Sequence, residues 1–572
     1  MVRRLFIPIL IVVGLVTAVT AQQPQNQAPQ TITVWAPHTI TPEKIDTELN
    51  AKIRSEGMDR SKIMWIEHYL TDVYGPRPTG SPNLENAGKW AVQQMTSWGM
   101  KNAHLEPWDW GHPGWMPDRA TGFVTSPIKV NLKFEVVPWT PSTKGTVSGA
   151  VVSLTTPENP TDAQLTQYLA SMASKVKGGI VMTAAWTPVP VDFNPPVKRR
   201  DDEAVKAQYA PPNPNAPAGG GRGGRGGGAP GNRGGGAPAG AADPSRLTAQ
   251  QVTQRITAFL KENPPALRLQ DAARAHGIIV AQNQGGQSYD EAGQFPAVLL
   301  RNEDYGRIWR IMQDGTPVNV EFNVQTHYYP EGKVAYNTIG EIAGTDKADE
   351  VVMLGGHLDS WASATGATDN AIGCAIMLEA ARILQTVGAK PRRTIRIALW
   401  SGEEEGLLGS LAYVKAHFGS AESPKPEFAK FNGYWNIDGG TGRVRGAGIF
   451  GPPEAGVIIA QFLKPFEDFG IFGASTTTSR TTGGTDSTSF NNAGLPGIGG
   501  GQDTIEYNSH THHTNLDTYE RIVPEDVIKN AGVTASLIYH IANRDKMLPR
   551  FPEGSMPAPP PQRGQTGGRG QQ

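Results

Sequence analysis

Cysteine, net charge and long apolar runs are all scarce in this chain of 572 residues. Cys374 is the only cysteine, so no disulfide can form within the chain and no set of thiolates can hold a metal. Its place in a predicted helix, two positions from Ile372 and Ile376, favours a buried small side chain over a nucleophile. A formal net charge of −1 gives no indication of a nucleic-acid partner.

The only strongly apolar run lies at the N-terminus. Arg3 and Arg4 precede the apolar stretch Leu5–Val16, and small residues follow at Val19–Ala21, which together predict a secretory signal over residues 1–21. An N-terminal membrane anchor is the alternative, but the run is short for a full span. We therefore expect an exported protein, periplasmic or extracellular, with no stable membrane insertion after the signal is removed.

Glycine and proline are abundant but clustered. Pro211–Gly240 is a low-complexity segment of Gly, Pro and Ala with three arginines, which cannot bury enough apolar surface to fold. We predict a disordered loop over residues 211–245 and a disordered tail over 549–572. Arginine-rich segments of this kind can bind RNA, but in an exported protein a solvated loop is the favoured interpretation, so no nucleic-acid partner is expected.

Strand-like and helix-like segments alternate after residue 336, which predicts an α/β fold with a mostly parallel mixed sheet flanked by helices. Short β-like runs between residues 124 and 328, among them Gly277–Ala281, predict an inserted β-rich domain. The predicted division is residues 1–21 signal, 22–123 first part of the main domain, 124–328 insertion, 329–548 main part with the functional site, and 549–572 tail.

Short clusters of histidine and carboxylates follow the predicted strands of the main domain. They are H357-L-D-S, T368-D-N-A-I-G373, S401-G-E-E-E-G406, N436-I-D438 and the run H510-T-H-H-T-N-L-D-T518. In a parallel sheet, sites form outside the carboxyl ends of the strands, so these clusters are expected to converge. Any one of them alone is more typical of a solvated or structural segment, and the histidine run alone could be a loose surface tract.

Imidazole and carboxylate ligands without thiolate suit zinc, with cobalt or manganese as alternatives. Two ions close together need a bridging carboxylate, and Asp369, just before a predicted helix, is the natural bridge. His357 and Asp438 would complete one ion; Glu404 and a histidine of the later run would complete the other. A water shared between the ions would be the nucleophile, with Glu403 as general base. Asp359 and Asp517 are predicted to orient ligand imidazoles.

These motifs resemble those of the co-catalytic di-zinc exopeptidases, the family that includes bacterial leucine aminopeptidases and plasma glutamate carboxypeptidase. The resemblance covers about Ile66–Trp108, with G75-P-R-P-T-G-S81, and Asn337–Leu548. It implies the zinc exopeptidase fold, a protease-associated domain as the insertion, and a cis peptide at Asp369–Asn370. It also implies His513 as the last ligand, because the family's ligand lies four residues before the Asp-Thr pair. Ser487 stands where many members have a histidine, which leaves the substrate preference open.

Three functions are compatible with these motifs. The favoured one is an exported di-zinc exopeptidase that cleaves peptides near a free terminus, as an aminopeptidase or dipeptidase; carboxypeptidase activity on the same scaffold is an alternative. A single-zinc acyltransferase resembling glutaminyl cyclase would not need the full second ligand set. A catalytically dead binding protein would be expected to lack ligands, and none is missing. Peptide substrates are the expected partners, and a homodimer is left open.

Overall fold

A computed structural model describes residues 42–191, 193, 199–210, 243, 245–282, 288–552 and 554–560. The predicted signal at residues 1–21, nearly all of the predicted loop at 211–245, and the tail from residue 561 lie outside the described residues.

The described chain alternates helices and strands. The helices are α1 Thr47–Asp59, α2 Ile63–His68, α3 Pro82–Ser97, α4 Asp162–Val176, α5 Asp202–Tyr209, α6 Ala249–Glu262, α7 Asn302–Gln313, α8 Ile372–Thr386, α9 Leu408–His417, α10 Pro453–Leu463, α11 Ser487–Ala493 and α12 Pro524–Asn543. The strands are β1 Lys101–Asp109, β2 Gly114–Ser126, β3 Val130–Asn131, β4 Phe134–Val136, β5 Val147–Ser153, β6 Ile180–Met182, β7 Leu267–Asp271, β8 Ala297–Leu300, β9 Asn319–Tyr329, β10 Val334–Ile342, β11 Lys347–His357, β12 Arg393–Trp400, β13 Gly419–Ser420, β14 Ser423–Pro424, β15 Phe431–Asn436, β16 Val444–Phe450, β17 Ala474–Thr477 and β18 Gly497–Gln502.

The main sheet has the strand order β1-β10-β12-β11-β15-β18-β16-β17. Its central strands β12, β11, β15 and β18 are parallel, and antiparallel pairing occurs toward both edges. Strands β12 and β15, and β11 from Val351 to His357, are almost entirely buried, as expected for parallel strands covered on both faces. The predicted α/β class, with a mixed sheet flanked by helices, is confirmed.

The register of the central strands brings their carboxyl ends to one level. His357 at the end of β11 pairs with Trp400 at the end of β12, and Gly355 pairs with Asn436 at the end of β15. Residues that follow β12 and β15 therefore emerge beside His357. This edge carries the candidate site.

Helix α8 leads away from the candidate site, lies against the main sheet and is deeply buried. From Ile372 to Leu384 all of its residues are buried. Cys374 is one of them, and burial raises the pKa of its thiol. The prediction of a small buried side chain at Cys374 is therefore confirmed. A buried neutral thiol is a poor nucleophile, so a catalytic role for Cys374 is disfavoured.

A second eight-stranded sheet has the order β3-β2-β9-β5-β6-β7-β8-β4, with β5 to β8 parallel. Strand β2 pairs with β9 from Gly114 onward, so the predicted boundary at residue 124 falls inside a strand of this sheet. The stretch Asp118–Thr121 within β2 is mostly polar and exposed, so the sequence there lacks the apolar pattern by which a strand is recognised. The division of the chain into separate domains stays a prediction.

The predicted strand Gly277–Ala281 is wrong. Ala275–Gly277 forms a single 3₁₀ turn, and Val280 makes one isolated bridge to Thr514 of the main part of the chain. This stretch joins no strand of the second sheet in the described chain, because its backbone partners lie beside the candidate site.

The start of the predicted disordered tail is packed rather than loose. Arg550 donates to the carbonyl of Phe428 at 2.9 Å and to that of Phe431, and the ring of Phe551 lies 5.2 Å from that of Phe450. The tail was predicted to be disordered from its overall composition. That composition is dominated by the Gly- and Gln-rich end, which follows Arg550 and Phe551. Among the described residues, no helix combines the length and the apolarity that a bilayer span requires.

Residues 199–209 pack against the main sheet, beside a buried ion cluster. Arg445 is fully buried; it lies 2.8 Å from Asp503, which is also fully buried, and pairs with Asp202 of α5. A Cβ at Gly446 would clash with the ring of Tyr209, so the glycine allows α5 to lie directly on β16. These contacts hold α5 against the main sheet.

We expect Arg445→Met to destabilise the main part of the chain by about 3 kcal/mol, because it leaves the Asp503 carboxylate short of a buried partner. The change in the free energy of unfolding is measured by denaturant titration. Arg392→Met is the matched control: Arg392 pairs with the exposed carboxylates of Asp346 and Asp545, and its loss should cost less than about 1 kcal/mol. Equal losses for both variants would contradict the prediction.

Candidate metal centre

His357 ends β11 and is fully buried. Its Nε2 lies 3.3 Å from Asp369 Oδ1, 3.3 Å from Asp438 Oδ1 and 4.0 Å from Glu403 Oε2. Although burial opposes protonation, the negative charges of Asp438 and Glu403 raise the pKa of this imidazole well above its usual value. The first predicted ligand therefore lies amid three of the predicted carboxylates.

Asp369 lies in a single π turn, Ala367–Ala371, that leads into α8. Its Oδ1 faces His357, and its Oδ2 lies 3.3 Å from His513 Nε2. The Asp369–Asn370 peptide is cis, as the family resemblance implied. A carboxylate whose two oxygens face imidazoles on opposite sides has the geometry of a bridge between two ions.

The three consecutive glutamates after β12 have different surroundings. Glu404 Oε2 lies 2.8 Å from His513 Nε2, so this side chain faces the second imidazole. Glu403 is 11 % exposed and approaches His357. Glu405 turns away and accepts a hydrogen bond of 2.7 Å from Thr79, in the early Gly-Pro-rich loop. Only the first two glutamates take part in the centre.

His513 is the nearest of the run's histidines to Asp369. His512 Nε2 lies 3.9 Å from Asp369 Oδ2, and its ring is stacked on that of His513 at 3.8 Å. His510 instead stacks near His276, with the two ring centroids 6.0 Å apart. Groups of potential ligand atoms that lie within 4.8 Å of one another are His357, Asp369 and Asp438 on one side, and Asp369, His512 and His513 on the other.

The environment of these side chains fits divalent cations. Asp369 Oδ2 and Glu404 Oε1 are buried and accept no hydrogen bond within the described chain. Burial, together with the Asp369 charge, raises the pKa of Glu404 well above its usual range, and burial raises that of Glu403 similarly. Burial lowers the pKa of His513, which favours the neutral imidazole that metals bind. Cations between these carboxylates would relieve the repulsion and satisfy the unpaired oxygens.

Asp359 and Asp517 were predicted to orient ligand imidazoles. Both lie close to the centre, but neither carboxylate accepts a hydrogen bond from an imidazole. The Asp359 backbone carbonyl, not its carboxylate, lies 3.0 Å from His357 Nδ1; the nearest carboxylate oxygen is at 3.6 Å. Asp517 accepts the backbone N–H groups of Thr368 at 2.6 Å and Asp369 at 3.1 Å. Asp517 therefore fixes the turn that carries Asp369, a role that its sequence position beside the histidines concealed.

Arg77 and Gln282 also contribute to the candidate centre, and the sequence gave no prediction of a role for either. Arg77 is fully buried and donates to the carbonyls of Leu70, Leu358, Thr365 and Gly366 at 2.6–3.0 Å. It thus holds the early loop against the segments that follow His357 and precede Asp369. Gln282 lies against His513, with Oε1 2.6 Å from Nδ1.

The fold and the side-chain cluster define the class: an α/β protein with a potential metal centre of imidazoles and carboxylates at the carboxyl edge of its sheet. Comparison with known proteins specifies the family. Residues 337–538 match peptidase family M28, so the chain carries a peptidase family M28 domain, and the predicted relation to the zinc exopeptidases is confirmed.

Carboxypeptidase Q of Mus musculus is 29 % identical over 273 residues, which are 48 % of this chain and 55 % of the relative. The chain thus spans about half the length of the curated relatives it matches. A peptidase M28 precursor from Shewanella amazonensis shares the fold, with a TM-score of 0.58, 22 % identity, and coverage of 88 % of this chain and 98 % of the other. BSAP, a zinc aminopeptidase from Bacillus subtilis, gives a TM-score of 0.50 at 15 % identity, covering 85 % and 96 %.

Proposed function

We propose that the protein is an exported di-zinc exopeptidase that hydrolyses peptides near a free terminus, as an aminopeptidase or dipeptidase. The observation that carries the proposal is the position of Asp369, whose two carboxylate oxygens face His357 on one side and His513 on the other, each at 3.3 Å. Asp438 adjoins the first imidazole and Glu404 the second. His357, Asp369 and Asp438 would hold one ion; Asp369, Glu404 and His513 would hold the other.

Two bound zinc ions would polarise the scissile carbonyl and make a water acidic enough to attack it near neutral pH. Glu403 is not needed as a ligand in this arrangement. Its carboxylate lies on the His357 side of the centre and is 11 % exposed, so it keeps access to solvent. It would accept the proton of the attacking water and return it to the departing amine nitrogen.

The free terminus is proposed to be the amino end. The described residues that line the cavity at the centre include Asp369, Glu404, His513 and Asp517 but no lysine or arginine. A free α-carboxylate would therefore find no cationic side chain in this cavity, and this is what favours the amino end. The Bacillus subtilis neighbour is described as a zinc aminopeptidase and the mouse relative as a carboxypeptidase, so the preference has to be measured.

A panel of short peptides with free or blocked termini tests the proposal on the zinc-loaded full chain. Blocking the amino terminus should abolish cleavage in either case. Amidating the carboxyl terminus should leave cleavage within about tenfold for an aminopeptidase and abolish it for a dipeptidase. Cleavage that depends on a free carboxyl terminus instead would establish carboxypeptidase activity. Cyclisation of peptides with N-terminal Gln, with one zinc per chain, would favour the single-zinc acyltransferase.

Removal of the metal should abolish hydrolysis, because no described side chain of the centre replaces the charge that two divalent ions would supply. We expect dialysis against a strong chelator to lower kcat/KM at least about 10³-fold, and stoichiometric zinc to restore it. Cobalt and manganese, tested in parallel, identify the preferred ion. Full activity in a metal-free preparation, verified by elemental analysis, would exclude the metallopeptidase mechanism.

A further inference from the structure

A segment that follows the second sheet's strand β7 docks on the loop that carries His513. The Ile279 N–H donates to Asn515 Oδ1 at 2.8 Å, and the Asn515 N–H donates to the Ile279 carbonyl at 3.1 Å. The Asn515 side chain also donates to the Gly277 carbonyl at 3.3 Å, and Val280 forms a β-bridge with Thr514. Reciprocal hydrogen bonds of this kind, through the backbone and the Asn515 side chain, fix the position of one segment on the other.

Gln282, at the end of this docked segment, reaches the candidate centre. Its Oε1 lies 2.6 Å from His513 Nδ1, while His513 Nε2 faces Glu404 at 2.8 Å and Asp369 at 3.3 Å. An amide oxygen only accepts hydrogen bonds, so this contact places the imidazole proton on Nδ1. Nε2 is then left unprotonated, with its lone pair directed between the two carboxylates, as a metal ligand requires.

His513 needs such support more than the other proposed ligands do. Its side chain is 22 % exposed, against 8 % or less for those of His357, Asp369, Glu404 and Asp438. Its backbone has a positive φ of 61°, which is costly for a residue with a side chain. Asp517, which the sequence offered as the orienting group, is engaged by the backbone N–H groups of Thr368 and Asp369.

We propose that Gln282 is the positioning residue for His513, so that the ion held by Glu404 and His513 depends on a side chain from the segment after β7. The inference rests on the proposed di-metal function. It adds a contribution from residues 277–282, outside the part of the chain that matches the peptidase family, to the centre itself. Groups that hydrogen-bond a ligand imidazole typically change metal affinity by about 10–100-fold when they are removed.

The test is a zinc titration of the full chain against a competing chromophoric chelator, which reports affinity without reference to catalysis. Gln282→Met keeps the length of the side chain but lacks the acceptor. It should weaken one of the two zinc sites by about 10–100-fold and leave the other unchanged. Gln282→Glu, which can only accept, should retain or tighten the parental affinity.

The matched control is Gln294→Met, at a glutamine that contacts the Ser288 carbonyl rather than the centre; both zinc affinities should be parental. If Gln282→Met does not fold, Gln282→Asn replaces it, because the shorter amide cannot span the same distance and should also weaken one site. Parental affinities in the folded Met or Asn variant, or equal weakening of both sites, would overturn the inference. A parental protein that binds fewer than two zinc ions would instead refute the proposed function.

Discussion

Glu403→Gln is expected to lower kcat by about 10³-fold while leaving two zinc ions bound. The amide has nearly the same shape as the carboxylate but cannot take a proton from water. In the proposed mechanism Glu403 is the only carboxylate of the centre that is left free of metal, and its Oε2 approaches His357 to 4.0 Å. The measurement is kcat on the best substrate of the peptide panel, with zinc content determined on the same preparation.

Glu405→Gln is the matched control for Glu403, because the same substitution is made two residues further on. Glu405 accepts a hydrogen bond from Thr79 and makes no contact of 4.0 Å or less with the imidazoles of the centre in the described structure. We expect its kcat to stay within about tenfold of the parental value. Equal losses for the two variants, or undiminished activity in Glu403→Gln, would remove Glu403 from the role of general base.

Asp369→Asn is expected to abolish activity through loss of metal, with kcat/KM reduced by more than about 10⁴-fold. The carboxylate is 4 % exposed and faces both imidazoles, so an amide would present its NH₂ group to one of the two ions. The variant should retain at most one zinc per chain, measured by elemental analysis after gel filtration.

Asp349→Asn provides the control for Asp369. Asp349 forms an exposed ion pair with Lys430 at 3.2 Å, so its substitution should leave zinc content and kcat/KM unchanged. Two tightly bound zinc ions in Asp369→Asn would show that another group bridges them. Activity close to parental in a zinc-depleted Asp369→Asn preparation would contradict the whole account.

The central strands could be predicted from the sequence because each is a short apolar run followed by polar, glycine-containing residues. The apolar run at residues 394–400 is observed within strand β12, Arg393–Trp400, and the run at residues 431–437 largely as strand β15, Phe431–Asn436. Once these strands are parallel, their carboxyl ends must share an edge, so the neighbourhood of His357, Glu403 and Asp438 follows from chain order alone.

The contacts around the ligands could not be predicted in the same way, because they depend on tertiary packing. Gln282 and His513 are 231 positions apart in the sequence. The sequence of the segment before Gln282 is typical of a strand, and only the structure shows that it pairs with the loop at Thr514. Asp517 lies near the histidines in sequence. In the structure, however, its carboxylate accepts the backbone N–H groups of Thr368 and Asp369. Composition likewise gave no sign that Arg550 packs against the main sheet.

The most direct test of the proposed centre is a crystal structure of the zinc-loaded protein with anomalous data at the zinc edge. The account predicts two zinc peaks about 3.5–4 Å apart. One ion should contact His357 and Asp438, the other Glu404 and His513, and Asp369 should bind both. A single peak, or two peaks of which one lies beyond bonding distance of Asp369, would contradict it.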